Sequence, residues 1–212
     1  MAYTEILLST AYLPPVQYLS KFLHYKTIRL EVRENFLKQT YRNRTLIAAA
    51  NGPESLVIPV AKGRDAKHTI KDQRISYDTS WQHIHWHAIV SAYRSSPFFE
   101  ILQDEFRPFY RKRYSFLFDF NLELLRLVLN ILDITPDIRL TEDFEQVPDY
   151  CLNYREAIHP KPGKTAADKH FVPVPYSQVF EDRLGFLPNL SVIDLLFNRG
   201  PESYEILLKS IR

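Results

Sequence analysis

Three histidines alternate within residues 79–94, TSWQHIHWHAIVSAYR, and imidazole is the side chain best suited to acid–base chemistry near neutral pH. Apolar residues recur in this stretch at helical spacing, which predicts an amphipathic helix. On that helix His85 shares the buried face, whereas His83 and His87 lie on the polar side. A buried imidazole needs hydrogen-bond partners and titrates near neutrality. We therefore expect any active centre to lie around His85, acting as a general base or acid.

The same histidines have other interpretations. His85 can instead be a core histidine whose ring is satisfied by a carbonyl and a neighbouring side chain. A zinc site formed by all three would require a strand, on which alternate residues share a face. His83 and His87 are four residues apart and could chelate a metal on a helix, but no carboxylate or cysteine partner is signalled nearby. We therefore expect neither a metal nor a cofactor.

Arginines and a lone cysteine are further candidates for chemistry. Arg42 and Arg44 flank Asn43 just before a predicted strand and could grip a phosphate or carboxylate; the alternative is a solvated strand edge. The basic run 111–113 between two tyrosines is similar to a nucleic-acid patch, but a solvated helix end explains it better. Cys151 has no local histidine, which favours a buried, inert thiol.

Two known catalytic motifs do not fit the sequence. Gly163-Lys164-Thr165 is similar to the end of a phosphate-binding P-loop, but Ile158 occupies the position of the leading glycine and no strand precedes it. No serine lies in a G-x-S-x-G setting. Hydrolase chemistry with a serine nucleophile therefore has no support in the sequence.

Composition bounds the class of protein. The 212 residues include 27 basic and 25 acidic side chains, a balance that favours neither nucleic acid nor a membrane surface as a partner. A single cysteine excludes an intrachain disulfide. No export signal is recognised, and polar residues interrupt the richest apolar segment, 116–134, so we expect no transmembrane segment. The sequence predicts one cytoplasmic domain over residues 1–212.

The elements that must position these residues begin with a strand, helix and strand. Period-two alternation and short apolar runs predict strands at 5–12, 27–32, 45–50, 55–61, 70–77 and 138–140. Helical periodicity predicts helices at 16–25, 79–95, 96–108, 115–134 and 190–198, the last capped by Asn189 or Ser191. Residues 146–176 are rich in proline, which predicts an extended arm or a lid over a cleft. The predicted fold is α+β: a mixed sheet from the N-terminal half, faced by three consecutive helices, with a short C-terminal helix.

Four stretches together resemble the WbqC-like family of bacterial proteins. They are AYLPPVQYLSKF, YRNRTLIAAANGPESLVIPV, WQHIHWHAIVSAYRSSPFFE and FLPNLSVIDLLFNRGP. The resemblance covers most of the chain and is weakest over residues 146–176. Family members are associated with O-antigen and other surface-polysaccharide gene clusters, and transfer of glycine or an acyl group to a sugar has been suggested for some. Many members have Gln-Pro ahead of the Tyr-Leu-Pro element, where this chain has Thr10 and Ala11.

The resemblance implies a transferase that acts on a small-molecule, nucleotide-linked or lipid-linked sugar, with no nucleic-acid partner. His85 would take a proton from the acceptor's amine or hydroxyl as it attacks an activated acyl carbonyl. Family elements place the expected substrate-binding residues at Tyr12, Asn43, Arg44, Trp86 and Asn189. The alternative is a non-catalytic protein of the same pathway that binds a sugar nucleotide or glycan. The oligomeric state is left open.

Overall fold

The computed structural model of the chain describes residues 3–61, 69–144 and 147–212. Its strands are β1 (Glu5–Ser9), β2 (Thr27–Glu31), β3 (Arg44–Ala49), β4 (Gly52–Val57), β5 (Asp137–Leu140) and β6 (Cys151–Asn153). Its α-helices are α1 (Val16–His24), α2 (Trp81–Tyr93), α3 (Phe99–Phe106), α4 (Leu117–Ile131), α5 (Glu181–Leu184), α6 (Val192–Arg199) and α7 (Ser203–Lys209). No helix in the described ranges combines the length and hydropathy needed to cross a bilayer.

A four-stranded parallel sheet with the order β5-β2-β1-β6 forms one part of the fold. Ile6, Leu7 and Leu8 of β1 are completely buried, as expected for a central parallel strand covered on both faces. The chain leaves β1 through α1 and pairs β2 on one side, while β6 pairs β1 on the other. The direction of strand addition therefore reverses beside β1, which makes this a topological switch point.

An antiparallel hairpin of β3 and β4 forms a second, separate sheet. Its turn uses Gly52 at φ 120°, a backbone conformation that side chains rarely allow. Helix α2 packs on the hairpin, and the Tyr93 hydroxyl accepts a hydrogen bond from the backbone N–H of Ala48. The ring of Phe197 in α6 packs against Tyr93 and Phe99, which joins α2 and α3 to the C-terminal helices. The apolar faces of the helices therefore meet in one core.

The start of α1 is held by a segment from the far end of the chain. Helix N-termini leave their first backbone N–H groups without partners inside the helix. Here the Asn189 side chain accepts from the N–H of Gln17 at 2.8 Å and donates to the Gln17 side chain at 3.0 Å. The hydroxyls of Thr45 and Ser191 donate to the carbonyl of Leu13, which lies at φ 39°. The Tyr-Leu-Pro and Pro-Asn elements are thus one structural unit.

The predicted arm is tied to α1 by a buried ion pair. Lys21 is completely buried, and its ammonium lies 2.5 Å from the carboxylate of Asp168. Asp168 also accepts hydrogen bonds from the side chains of Gln17 and Tyr154. Gln146, with which the predicted arm begins, lies outside the described residues.

Several sequence predictions need correction. The sheet is wholly parallel instead of mixed, and two of its four strands, β5 and β6, come from the second half of the chain. Residues 70–77 do not form a strand but begin with a 3₁₀ turn, because polar residues lie on both faces of that alternation. Part of the predicted arm, Cys151–Asn153, is strand β6, with Cys151 buried. The helices α1, α2, α4 and α6 lie where periodicity predicts them.

Candidate functional site

His85 lies on the inward face of α2 and is only 4% exposed. Burial lowers its pKa to about 4, and a hydrogen bond with the backbone of Val57 acts weakly in the opposite direction. A backbone carbonyl only accepts, so the neutral imidazole donates to Val57, and the Tyr12 hydroxyl, 3.0 Å away, donates to Nδ1. The Tyr110 hydroxyl lies 2.8 Å from that of Tyr12 and donates to it. Tyr110, Tyr12 and His85 therefore form a hydrogen-bond chain that ends at the backbone of Val57.

Aromatic rings enclose this chain, which we call the His85 centre. Trp81 meets the imidazole edge to face at 5.1 Å, and Phe120 lies against both Trp81 and Tyr12. Trp86 packs on Tyr110. A general base must reach the proton that it removes, whereas both ring nitrogens of His85 are engaged inside the protein. The geometry favours a satisfied core histidine, and the catalytic role of His85 stays a prediction.

The other predicted site residues are also engaged within the fold. Tyr12 is completely buried. The Asn43 side chain donates to the carbonyl of Ile58 at 2.8 Å, which extends the hairpin. Arg44 pairs with Val57 in the hairpin, and its buried Nε has no hydrogen-bond partner among the described residues. The structure thus brings Tyr12, His85 and Arg44 to one region, while the Asn189 amide is committed to the start of α1.

His83 and His87 lie on the solvent side of α2, with ring centroids 4.2 Å apart. Because the segment is helical, the three histidines do not share one face, which removes the geometry that the three-histidine zinc interpretation requires. Within the described ranges, no group of three or more histidine, cysteine or acidic side chains is arranged to hold a metal ion.

A second polar region lies at the carboxyl edge of the parallel sheet, where β1, β2, β5 and β6 end together. In open α/β sheets this edge binds ligands at the switch point of the strand order. The Arg42 guanidinium lies here, 2% exposed, and donates to both carboxylate oxygens of Glu34, at 2.8 and 2.5 Å. Arg42 also donates to the Ser9 hydroxyl at 2.7 Å. This buried ion pair lies beneath the exposed residues of the carboxyl edge, and we call it the floor of the edge.

Arg155 supplies the wall beside that floor. Its guanidinium donates to Glu31 at the end of β2 and to Asn153 at the end of β6. The hydroxyl of Thr141, just after β5, donates to the same Glu31 carboxylate. The Arg155 guanidinium also lies 4.5 Å from the ring centroid of Phe144. The last residues of β2 and β6 thus both bind Arg155, and the residue after β5 binds the same Glu31 carboxylate.

Two cavities adjoin along this edge and share Leu37, Arg155 and Glu156 in their linings. The first, of about 370 Å³, is also lined by Lys38, Thr40, Arg42, Ile158, His159 and Lys164, and we call it the basic cavity. The second, of about 400 Å³, is also lined by Glu34, Asn35, Phe144, Asn153 and Ala157, and we call it the aromatic cavity. A crevice of about 20 Å³ between Ser9 and Tyr154 lies beneath them.

The basic cavity is cationic. Arg42 and Arg155 in its lining are paired with Glu34 and Glu31, which leaves the charges of Lys38 and Lys164 against the carboxylate of Glu156. Desolvation and the neighbouring Lys164 and Lys161 lower the pKa of His159, which favours its neutral form. Because His159 Nδ1 accepts from the backbone N–H of Lys161 at 3.0 Å, the ring proton is on Nε2. His159 therefore offers a neutral N–H donor rather than a free basic nitrogen.

A cavity of about 750 Å³, larger than both of these, lies elsewhere, between the hairpin turn and α2. Its lining consists mainly of small residues, such as Ala88 and Ser91, with Glu54 as its one titratable side chain. Cavity volume alone therefore does not identify the cavity whose lining can do chemistry. The carboxyl edge combines concavity, charge and hydrogen-bond donors, and we take it as the candidate site.

Sequence reasoning missed most of this edge. The sequence suggests Arg42 as a residue that binds an anion, but it does not indicate its partner Glu34. Lys164 belongs to the rejected P-loop resemblance, yet it lines the basic cavity without that motif. The available signal was the basic run HPKPGKTAADKH, which contributes His159 and Lys164. Its position could be deduced only by placing the end of β6 beside that of β1.

Comparison with known proteins identifies a family and a relative. A model of the WbqC-like protein family matches residues 10–206, a stretch that includes His85 and the linings of both cavities. The chain is also similar to an uncharacterized protein of Mycobacterium tuberculosis, with 23% identity over 223 residues, covering 92% of this chain and 91% of that relative. No solved structure matches the chain.

Proposed function

The chain belongs to the WbqC-like protein family, and from this premise we propose that it is a transferase of surface-polysaccharide biosynthesis. Its proposed reaction moves an acyl or aminoacyl group onto a nucleotide-linked or lipid-linked sugar. The observation that carries the proposal is the basic cavity at the switch point of the parallel sheet. A concave site lined by cations suits a substrate that carries phosphate.

In the proposed complex the phosphate of the sugar substrate occupies the basic cavity. Lys38 and Lys164 are exposed at its rim and supply positive charge. The Nε2–H of His159 donates a hydrogen bond without adding charge. Arg42 lies in the floor, where its ion pair with Glu34 keeps the guanidinium fixed. Charged donors held in place before binding lower the reorganisation cost of gripping an anion.

Glu156 is our candidate for the general base, because it is an exposed carboxylate that lines both cavities. It would accept the proton of the sugar's amine or hydroxyl as that group attacks the carbonyl carbon of an activated acyl donor, such as a thioester or aminoacyl ester. A new amide or ester bond forms, and the bond between the carbonyl carbon and its carrier breaks. The proton passes from Glu156 to the departing carrier.

The second candidate function is non-catalytic binding of a sugar nucleotide or glycan. The enclosure of His85 favours it, because the residue from which the sequence predicts catalysis is 4% exposed and has both ring nitrogens engaged. This alternative keeps the basic cavity as the binding site. It differs from the proposal in giving saturable binding without a product.

Binding is tested by calorimetric titration of the purified protein with UDP-N-acetylglucosamine. We expect the double variant Lys38→Ala/Lys164→Ala to bind at least about 10-fold more weakly, because each lost charged contact is worth about 1.5 kcal/mol or more. Lys209→Ala is the matched control, since Lys209 is an exposed lysine on α7. Equal affinity of wild type and double variant would refute the phosphate site.

Catalysis is tested by mass spectrometry of the sugar nucleotide after incubation with acyl thioesters and aminoacyl esters. Loss of a general base lowers turnover by about 10²- to 10⁴-fold, so Glu156→Gln should bind normally and turn over poorly. His85→Gln separates the two assignments of the base. Loss of turnover in a folded His85→Gln protein, with Glu156→Gln active, would restore the sequence-based assignment. Binding without product in the wild type would favour the second candidate.

A further inference from the structure

The aromatic cavity differs in chemistry from the basic cavity beside it. Phe144 is 62% exposed, an unusual state for a large apolar side chain at a concave site. Asn35, Asn153 and Glu156 place amide and carboxylate groups around the same space. The two cavities therefore divide the edge into a cationic part and a part that combines one aromatic ring with uncharged and acidic hydrogen-bonding groups.

Phe144 is backed by a fixed guanidinium. Arg155 lies 4.5 Å from the ring centroid and is itself held by Glu31 and Asn153. Its side chain is 13% exposed, and its charge is paired with Glu31 within the protein. A cation stacked on an aromatic ring stabilises that ring's position. Phe144 thus presents apolar surface to a polar cavity, next to the side-chain amides of Asn35 and Asn153, which can donate and accept hydrogen bonds.

We infer that the aromatic cavity is a sugar subsite, in which a pyranose ring packs on Phe144 and its hydroxyls bond to Asn35 and Asn153. This inference rests on the proposed function and adds the orientation of the substrate. A sugar ring offers apolar C–H groups and several hydroxyls, which match an aromatic surface bordered by amides. A phosphate matches this space less well than the basic cavity, because Glu34 lines it and the two lysines of the basic cavity do not. The phosphate therefore lies in the basic cavity and the sugar in the aromatic cavity.

The test compares three probes on Phe144→Ala by calorimetric titration: inorganic pyrophosphate, UDP and N-acetylglucosamine 1-phosphate. We expect the Kd of N-acetylglucosamine 1-phosphate to rise about 5-fold or more, the low end of what one stacking contact contributes. The Kd of pyrophosphate and of UDP should change less than about 2-fold, within ordinary context dependence. Ile101→Ala, which removes another exposed apolar side chain, is the matched control.

Each other result has a defined meaning. If Phe144→Ala weakens UDP as much as the sugar phosphate, the cavity takes the nucleobase and the sugar subsite is wrong. If no probe responds to Phe144→Ala while Lys38→Ala/Lys164→Ala weakens pyrophosphate, the sugar subsite is wrong and the proposed function stands. If the wild type binds none of the phosphorylated probes, the proposed function fails and the subsite fails with it. Asn35→Ala, at an exposed position, provides a second variant with the same expectation.

Discussion

The His85 centre and the carboxyl edge are both built from polar side chains, but only the edge meets solvent. In the first, Tyr12 and His85 satisfy each other inside an aromatic enclosure. In the second, buried Arg42 and Glu34 form a floor under the exposed side chains of Lys38 and Lys164. An enclosed hydrogen-bond network whose donors and acceptors are all paired stabilises the fold. Exposed charged side chains beside a cavity are able to bind a ligand.

This difference teaches that burial and chemistry must be weighed together. A histidine whose pKa is lowered to about 4 by desolvation is neutral at physiological pH, and the one ring proton of His85 is donated to the backbone of Val57. A histidine such as His159, beside a cavity and several cations, can donate to an anion without itself being charged. The same residue type therefore serves packing in one region and lines a cavity, as a neutral donor, in the other.

The largest expected effect concerns the floor of the edge. Arg42→Met leaves the buried carboxylate of Glu34 without its guanidinium, and we expect the free energy of unfolding to fall by about 3–5 kcal/mol. The double variant Arg42→Met/Glu34→Met removes both charges and should recover part of that loss. Urea denaturation at pH 7 measures both. If the free energy of unfolding of Arg42→Met lies within about 1 kcal/mol of wild type, the ion pair is solvated. The carboxyl edge would then have no buried floor to contrast with the His85 centre.

The next effect concerns pH and the His85 centre. The folded pKa of about 4 lies below the ordinary value of 6.5, so protonation favours the unfolded chain. The stability due to neutral His85 is complete above about pH 6.5 and is lost as the pH falls toward 4. This difference amounts to about 3 kcal/mol. Between pH 7 and 4, the free energy of unfolding from denaturation curves should therefore change less for His85→Gln than for wild type.

His87→Gln is the control for this measurement, because His87 is exposed on the same helix. It should leave the pH dependence of wild type unchanged. If His85→Gln also keeps the wild-type pH dependence, the imidazole is open to water in solution and the contrast between the two regions disappears.

The smallest effect concerns the rim. Lys38→Ala and Lys164→Ala remove exposed side chains, and each should change the free energy of unfolding by less than about 0.5 kcal/mol. Thermal unfolding without ligand measures this. With a phosphorylated ligand present, wild type should gain stability that the variants lack. A large loss of stability in either variant would mean that the rim serves the fold instead of a ligand.

Periodicity predicted most helices because each of them has a continuous apolar face. The spacing of Leu117, Leu124 and Val128 predicts α4, and all three are buried. The hairpin also follows from local signals, since Asn51-Gly52 lies between two β-prone runs. The parallel sheet could not be predicted in the same way. Its pairing of β1 with β6 joins residues more than a hundred positions apart, and three residues of β6 carry too little pattern to be recognised.

The candidate site was less predictable than the fold. Sequence spacing correctly placed His85 on the buried face of α2, but it could not show that Tyr12 and Val57 would satisfy the imidazole. Arg42 carried an ambiguous signal, since a grip for anions and a solvated edge have the same local sequence. The structure shows a third state, a buried ion pair with Glu34. Such partners become visible only when strand ends are brought together.

The bond between Asn189 and Gln17 has a consequence for biosynthesis. These side chains are 172 positions apart, and the neighbouring strand β6 is also made long after β1. During translation the apolar strand β1 and the start of α1 therefore wait for their partners until most of the polypeptide has been synthesised. Helix α1 therefore gains its N-terminal partner only once Asn189 has been synthesised, and until then the nascent chain exposes apolar surface that favours aggregation.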